Sequence, residues 1–198
     1  MQNIFLQYTE SKRSLFLQRI CEALDATSLE NLEVIDREYL FNAACLVLHM
    51  SDEGKFVVPA KRVFLKLMNQ ELVNNVYRIG PFLQSVKDAE LKERIVSSLF
   101  TLAENIKLDE AEGVDHNAHS QRSGMNMKEE SLIHLLKQDD EKIRTQALAL
   151  CQKLIKTVDL SQIQRFTFLS EMGLTLKEIE EGKPLAQEVL TLLQPKFE

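Results

Sequence analysis

The chain has 198 residues, 44% of them apolar and 27% charged, and a formal net charge of −6. That length can bury one compact core or two small ones, and the acidic balance denies it a broad electrostatic footprint for nucleic acid. Gly and Pro number only six and four, while the common residues are good helix formers, so the composition predicts an all-α protein.

The opening, MQNIFLQYTESKRSLF, lacks the basic segment and apolar run of a secretory leader. The longest strongly apolar stretch, AACLVLHM, is too short to span a bilayer. A first helix is expected over 3–25, with Leu15, Phe16, Ile20, Ala23 and Leu24 forming its apolar stripe. Thr27 and Glu30 have the spacing of a capping box. The next helix, 36–50, is apolar round most of its circumference, which predicts a central place with neighbours on several sides. Residues 51–59 read as a break: Gly54 for a turn, KFVV as a short extended piece, and Pro59 in the first turn of the following helix. That helix is expected to stop at Gly80-Pro81.

Residues 81–106 and 130–156 share one plan: a short apolar segment, a charged turn and a long amphipathic helix. An offset of 52 aligns Leu91 with Ile143, Ile95 with Ala147, Leu99 with Cys151 and Leu102 with Leu154. Between them lies KLDEAEGVDHNAHSQRSGMNMKEE, whose polar composition predicts a solvated tether. Further on, Thr175 and Glu178 again have capping-box spacing. Gly173 and Gly182 are expected helix stops, and Pro184 marks the start of the last helix. The organisation expected is a helical block over 1–108, a flexible acidic linker or insertion over 109–127, and a second helical block over 128–198. These two blocks could also form one continuous domain. The expected fold is an irregular helical bundle or short repeat array of about eight to ten helices.

Segment 130–156 resembles a HEAT-type helical repeat through Leu132, Leu135, Leu136, Asp139-Asp140, Ile143-Arg144, Ala147, Leu150 and Leu154. The resemblance implies that the aspartate caps the second helix, the arginine supports the turn between the helices, and the alanine lets them approach. CLVLHMSDEGKFVVPAKRVFLKLM resembles the helix, acidic-glycine turn and helix of TerB-like domains, which implies a stress-response protein that contacts cations. RFTFLSEMGLTLKEIEEG is similar to the helical pair of MerR-type regulators. The winged part that should precede that pair is missing, and residues 159–198 carry four basic against seven acidic groups.

Asp115, His116 and His119 are candidate metal ligands, since a His-x-x-His pair on a helix brings both rings to one face. The surrounding Gly113, Asn117, Ser120, Ser123 and Gly124 disfavour such a helix, so a solvated linker competes with that reading. Asp52 and Glu53 beside Gly54 lack the oxygen-ligand spacing of a calcium loop. His49 and His134 sit in apolar helical patterns and read as core-edge residues. The acidic groups 109–112 and 178–181 read as solvated faces or docking patches for basic partners. Cys21, Cys45 and Cys151, widely spaced and odd in number, suit a reducing cytoplasm. No nucleophile elbow, phosphate-cradling loop, zincin helix or dinucleotide fingerprint occurs.

The function these features predict is a protein–protein scaffold, adaptor or assembly subunit without catalytic activity or cofactor. Phe166, Phe168 and Met172 are candidate partner-binding residues, and filling the core is the competing reading for them. The competing readings are a TerB-like cation-contacting protein, a metal-dependent enzyme using His116 and His119, and a transcriptional regulator.

Overall fold

The computed structural model describes residues 10–30, 32–51, 53–108, 125–157 and 165–193. Among them the secondary structure is helical throughout: α1 Glu10–Ala26, α2 Val34–Met50, α3 Gly54–Ser85, α4 Ala89–Ala103, α5 Met127–Leu136, α6 Glu141–Thr157, α7 Phe166–Lys177, a 3-10 turn Glu180–Gly182, and α8 Lys183–Leu193. The all-α expectation holds. No described helix is long and apolar enough to cross a membrane.

Contacts divide the chain into two compact units, one of residues 1–75 with 85–92 and one of 76–84 with 93–198. These divisions fall within α3 and α4, whereas the sequence pattern suggests a boundary at 109–127.

In the first unit α1 packs on α2. Leu17, Cys21 and Leu24 are buried along α1, at i, i+4 and i+7. The expected stripe is therefore rotated: Leu24 is shared, but Leu15 and Phe16 are 55% and 37% exposed. α2 fully buries Phe41, Ala44 and Val47, a narrower buried face than its composition suggests, and most of its other residues beyond Tyr39 are half-buried. The Phe41 ring stacks on Phe64 of α3 at 4.9 Å. Arg62 of α3 donates to the carbonyls of Leu24 (2.9 Å) and Asp25 (3.2 Å), which satisfies carbonyls that the end of α1 leaves without helical partners.

Several local stop signals are overridden by packing. KFVV is helical, not extended, and Gly54 is the first residue of α3. Phe56 is buried there, and its carbonyl accepts a 3.5 Å contact from Cys21 Sγ. Pro59 lies in the second turn. α3 also runs straight through Gly80-Pro81, because Ile79, Phe82 and Leu83 are all buried on the second unit's core. Gly80 is required for a different reason than a stop. A Cβ there would lie 2.0 Å from His134 Nδ1, so the imidazole of α5 rests directly on the glycine.

The second unit packs α5 on α6 and on α7, and α7 most closely on α8. Gly173 is interior to α7, not its end: a Cβ would lie 3.2 Å from Val189 Cγ1 of α8, so its absence permits a close crossing. Thr175 is likewise buried inside α7, and Thr27 Oγ1 bonds back to Ala23 O at 2.6 Å. Neither is an N-cap, so both expected capping boxes give way to helices that start elsewhere. The stripe shared by the two similar segments is core on α6 at Ile143, Ala147, Cys151 and Leu154, and on α4 at Leu91, Ile95 and Leu99, while Leu102 is half-buried. Pro184 stands second in α8, as expected.

Candidate functional site

Asp115, His116 and His119 lie outside the described residues, as do Asp52 and the acidic run 109–112. Among the described residues no group of three or more His, Cys, Asp or Glu is placed to hold a metal ion. Phe168 and Met172 are fully buried and Phe166 is half-buried. As a correction to the docking reading, Phe168 and Met172 act as core between α7 and its neighbours.

The segment between α5 and α6 has a defined geometry. Asp140 Oδ1 accepts the backbone N–H groups of Lys142 (3.1 Å) and Ile143 (3.3 Å) and so caps α6. Arg144 Nη1 donates to Gln138 O (3.0 Å) and Asp139 O (2.7 Å), tying the turn to the helix that follows it. Ala147 is fully buried. Fifty-two positions earlier, Asp88 Oδ1 accepts the N–H of Leu91 at 2.9 Å and caps α4 in the same way. There Lys61 adds an ion pair, Nζ lying 2.8 Å from Asp88 Oδ2 and 2.9 Å from Glu90 Oε2. The Lys61 hydrogen bond, helped by the Leu91 N–H, holds the Asp88 carboxyl below the usual range. Asp88 and then Glu90 hold the Lys61 ammonium above its own.

One cluster escaped the sequence reading. Glu129, fully buried in the first turn of α5, receives Arg165 Nε on Oε1 and Nη2 on Oε2, each at 2.5 Å. Its Oε2 also accepts the Asn126 N–H at 2.8 Å, while Asn126 Oδ1 accepts the N–H groups of Lys128 and Glu129. Asn-x-x-Glu is a capping box, and that half was readable. The partner Arg165 is 36 residues away, and no local pattern points to it. The bidentate geometry fixes the start of α5 against the start of α7.

Apart from that ion pair, His134 and the thiols of Cys21 and Cys151 are held in their neutral forms by burial. Burial, and secondarily the charge of Lys137, pushes His134 down to about 4. Burial pushes the Cys151 thiol up to about 12 and raises that of Cys21. Thiols so held are poor nucleophiles at neutral pH.

Among the described residues, each unit carries a surface cleft. In the first a 290 Å³ cleft is lined by Leu48, Val57, Val86, Asp88 and Leu91. In the second a 520 Å³ cleft lies between the α5–α6 turn and the end of α7, with Asp139, Glu178, Glu180 and Glu181 on its walls. Lys183 pairs with Glu180 beside it. Among the described residues, large apolar side chains are exposed mainly in the first unit. On α2 alone Val34 is 61%, Ile35 56% and Tyr39 69% exposed.

No family model matches this chain, and neither does any curated protein or solved structure.

Proposed function

We propose that the protein is an interaction module, an adaptor or assembly subunit of a reducing cytoplasmic compartment, which works through surface shape rather than a reactive centre. The observation that carries this is the exposure of Val34, Ile35 and Tyr39 within six positions of one helix. Single exposed apolar residues are ordinary on any surface, but here Ile35 and Tyr39 share one helix face with Val34 adjoining its end, and such clusters mark docking sites. The capped, arginine-supported turn between α5 and α6 supports reading this helix pair as HEAT-like. Helix pairs of that kind present faces and grooves to partner helices.

Site-specific photo-crosslinking tests the proposal. A photoreactive residue in place of Tyr39 should trap one protein in cells, whereas the same residue in place of Lys177, which is exposed on α7, should not. Identical products from both positions would refute it.

A further inference from the structure

α2 carries two apolar faces. Phe41, Ala44 and Val47 form the buried one. Ile35, Tyr39 and Leu46 fall at i, i+4 and i+11 on the opposite side. Of these, Ile35 and Tyr39 are exposed and Leu46 is half-buried, and Val34 adjoins the exposed end. At about 100° per residue, Asp36 stands on one flank of this second face and Glu38 on the other. Glu33 and Glu30 precede its N-terminal end. Glu30, Glu33 and Asp36 are exposed and Glu38 is half-buried. Arg37, the only Lys or Arg between 27 and 54, falls by register on the far side of the helix. Its Nη1 donates to Leu32 O at 2.9 Å in the preceding loop. A helix start gains from acid in its first turn, and Asp36 alone supplies that. Glu33 stands at the N-cap position without a side-chain cap bond, so helix capping does not account for the whole acidic rim.

We infer that this face binds a basic amphipathic helix, a partner segment whose apolar stripe at helical spacing is flanked by Lys or Arg. The inference rests on the docking reading above and names the partner's chemistry. The apolar strip would supply most of the affinity, and the carboxylates would steer and orient the encounter. The same rim disfavours the other occupants. A second copy of this face would set four carboxylates against four, and an anionic membrane or a nucleic acid would be repelled.

The test uses the full chain and two fluorescent peptides of about 18 residues, five helical turns. One has a Leu stripe flanked by Lys, the other the same stripe flanked by Glu. Fluorescence anisotropy should show the Lys–Leu peptide binding and the Glu–Leu peptide not, with affinity falling as salt rises. The double variant Ile35→Ser/Tyr39→Ser should weaken binding about tenfold or more. Asp36→Asn/Glu38→Gln should weaken it several-fold and flatten the salt dependence. All four residues are exposed or half-buried, so circular dichroism should show both variants folded. Equal binding of the two peptides, no binding by either, or indifference to Ile35 and Tyr39 would overturn the inference. The crosslinking experiment separates this outcome from failure of the docking reading. A partner trapped at Tyr39 through a segment without basic residues leaves docking intact and removes only the basic helix.

Discussion

Replacing Glu129 by Gln keeps the volume of a fully buried side chain and removes its charge. The carboxylate receives three donors, two from Arg165 and one from the Asn126 backbone. An amide offers one accepting oxygen and turns the other atom into a donor, which must then face an N–H. Breaking a buried pair from one side costs about 3–5 kcal/mol. For a domain of this size, each kcal/mol moves Tm by about 2–4 °C, so the second unit should melt about 6–20 °C lower. The removal of both partners, Glu129→Leu/Arg165→Leu, should be less harmful than Glu129→Gln, because no buried charge is then left facing an apolar interior. The measurement is thermal and urea unfolding by circular dichroism, with alkylation of Cys151 as a reporter of the second unit and of Cys21 as a reporter of the first. Both thiols are buried, so each reacts when its own unit opens. A Glu129→Gln variant within about 1 kcal/mol of the parent would place the pair with exposed ion pairs and refute its role as a clamp.

Gly80→Ala should destabilise by about 1–3 kcal/mol, despite the gain in helix propensity, because its Cβ meets the His134 ring; in a His134→Ser background the same change should become neutral or favourable in urea titrations. His134 also gives a pH dependence of definite sign. The folded value of about 4 lies below the ordinary 6.5, so the unfolded chain takes up the proton first on acidification. Stability from this residue is fully present above pH 6.5 and falls by about 1.4 kcal/mol per unit as pH drops, until the folded ring protonates near 4. The full loss is about 3 kcal/mol, and His134→Gln should flatten unfolding free energy across that window. Asp88→Ala and Asp140→Ala should each cost about 1 kcal/mol as lost caps, Asp88 somewhat more because Lys61 loses one of its two carboxylate partners as well; equal stability to the parent in chemical denaturation would count against the caps. Ile35→Lys and Tyr39→Lys should change stability by no more than about 0.5 kcal/mol, since both side chains are mostly exposed.

Amphipathic helices were legible in the sequence wherever a stripe is buried by whatever lies against it. Of the positions aligned by an offset of 52, all four are core in α6 and three, Leu91, Ile95 and Leu99, are core in α4, with Leu102 half-buried, because helical spacing largely sets which side chains share a face. α1 misled, since its apolar residues cover an arc wider than the face that is buried, and spacing cannot say which part of an arc meets a neighbour. Gly80 and Gly173 misled for a related reason. A glycine in a helical pattern either stops the helix or admits a neighbour, and the choice is made by His134 in one case and Val189 in the other. Both are remote in sequence. The Glu129–Arg165 pair is the extreme case, with a readable cap on one side and a partner that only the fold supplies.

The two units place their unfavourable groups differently, although the second also leaves Leu174 60% exposed. In the second, Glu129 and Arg165 are taken inside and matched to each other, and no described buried side-chain nitrogen or oxygen lacks a hydrogen-bond partner. In the first, apolar side chains are left outside although their helix already has a buried face in Phe41, Ala44 and Val47. Helix propensity does not explain Val34, Ile35 and Tyr39, since Ala, Lys, Glu or Gln would favour the helix more. Core packing does not explain them either, because they are more than half exposed. Each exposed apolar group forgoes about 25 cal/mol for every Å² that stays in water. On the interaction reading proposed above, a residue choice that serves neither the helix nor the core, repeated at three positions on one helix and bordered by carboxylates, is accounted for when that area is removed from water by another chain.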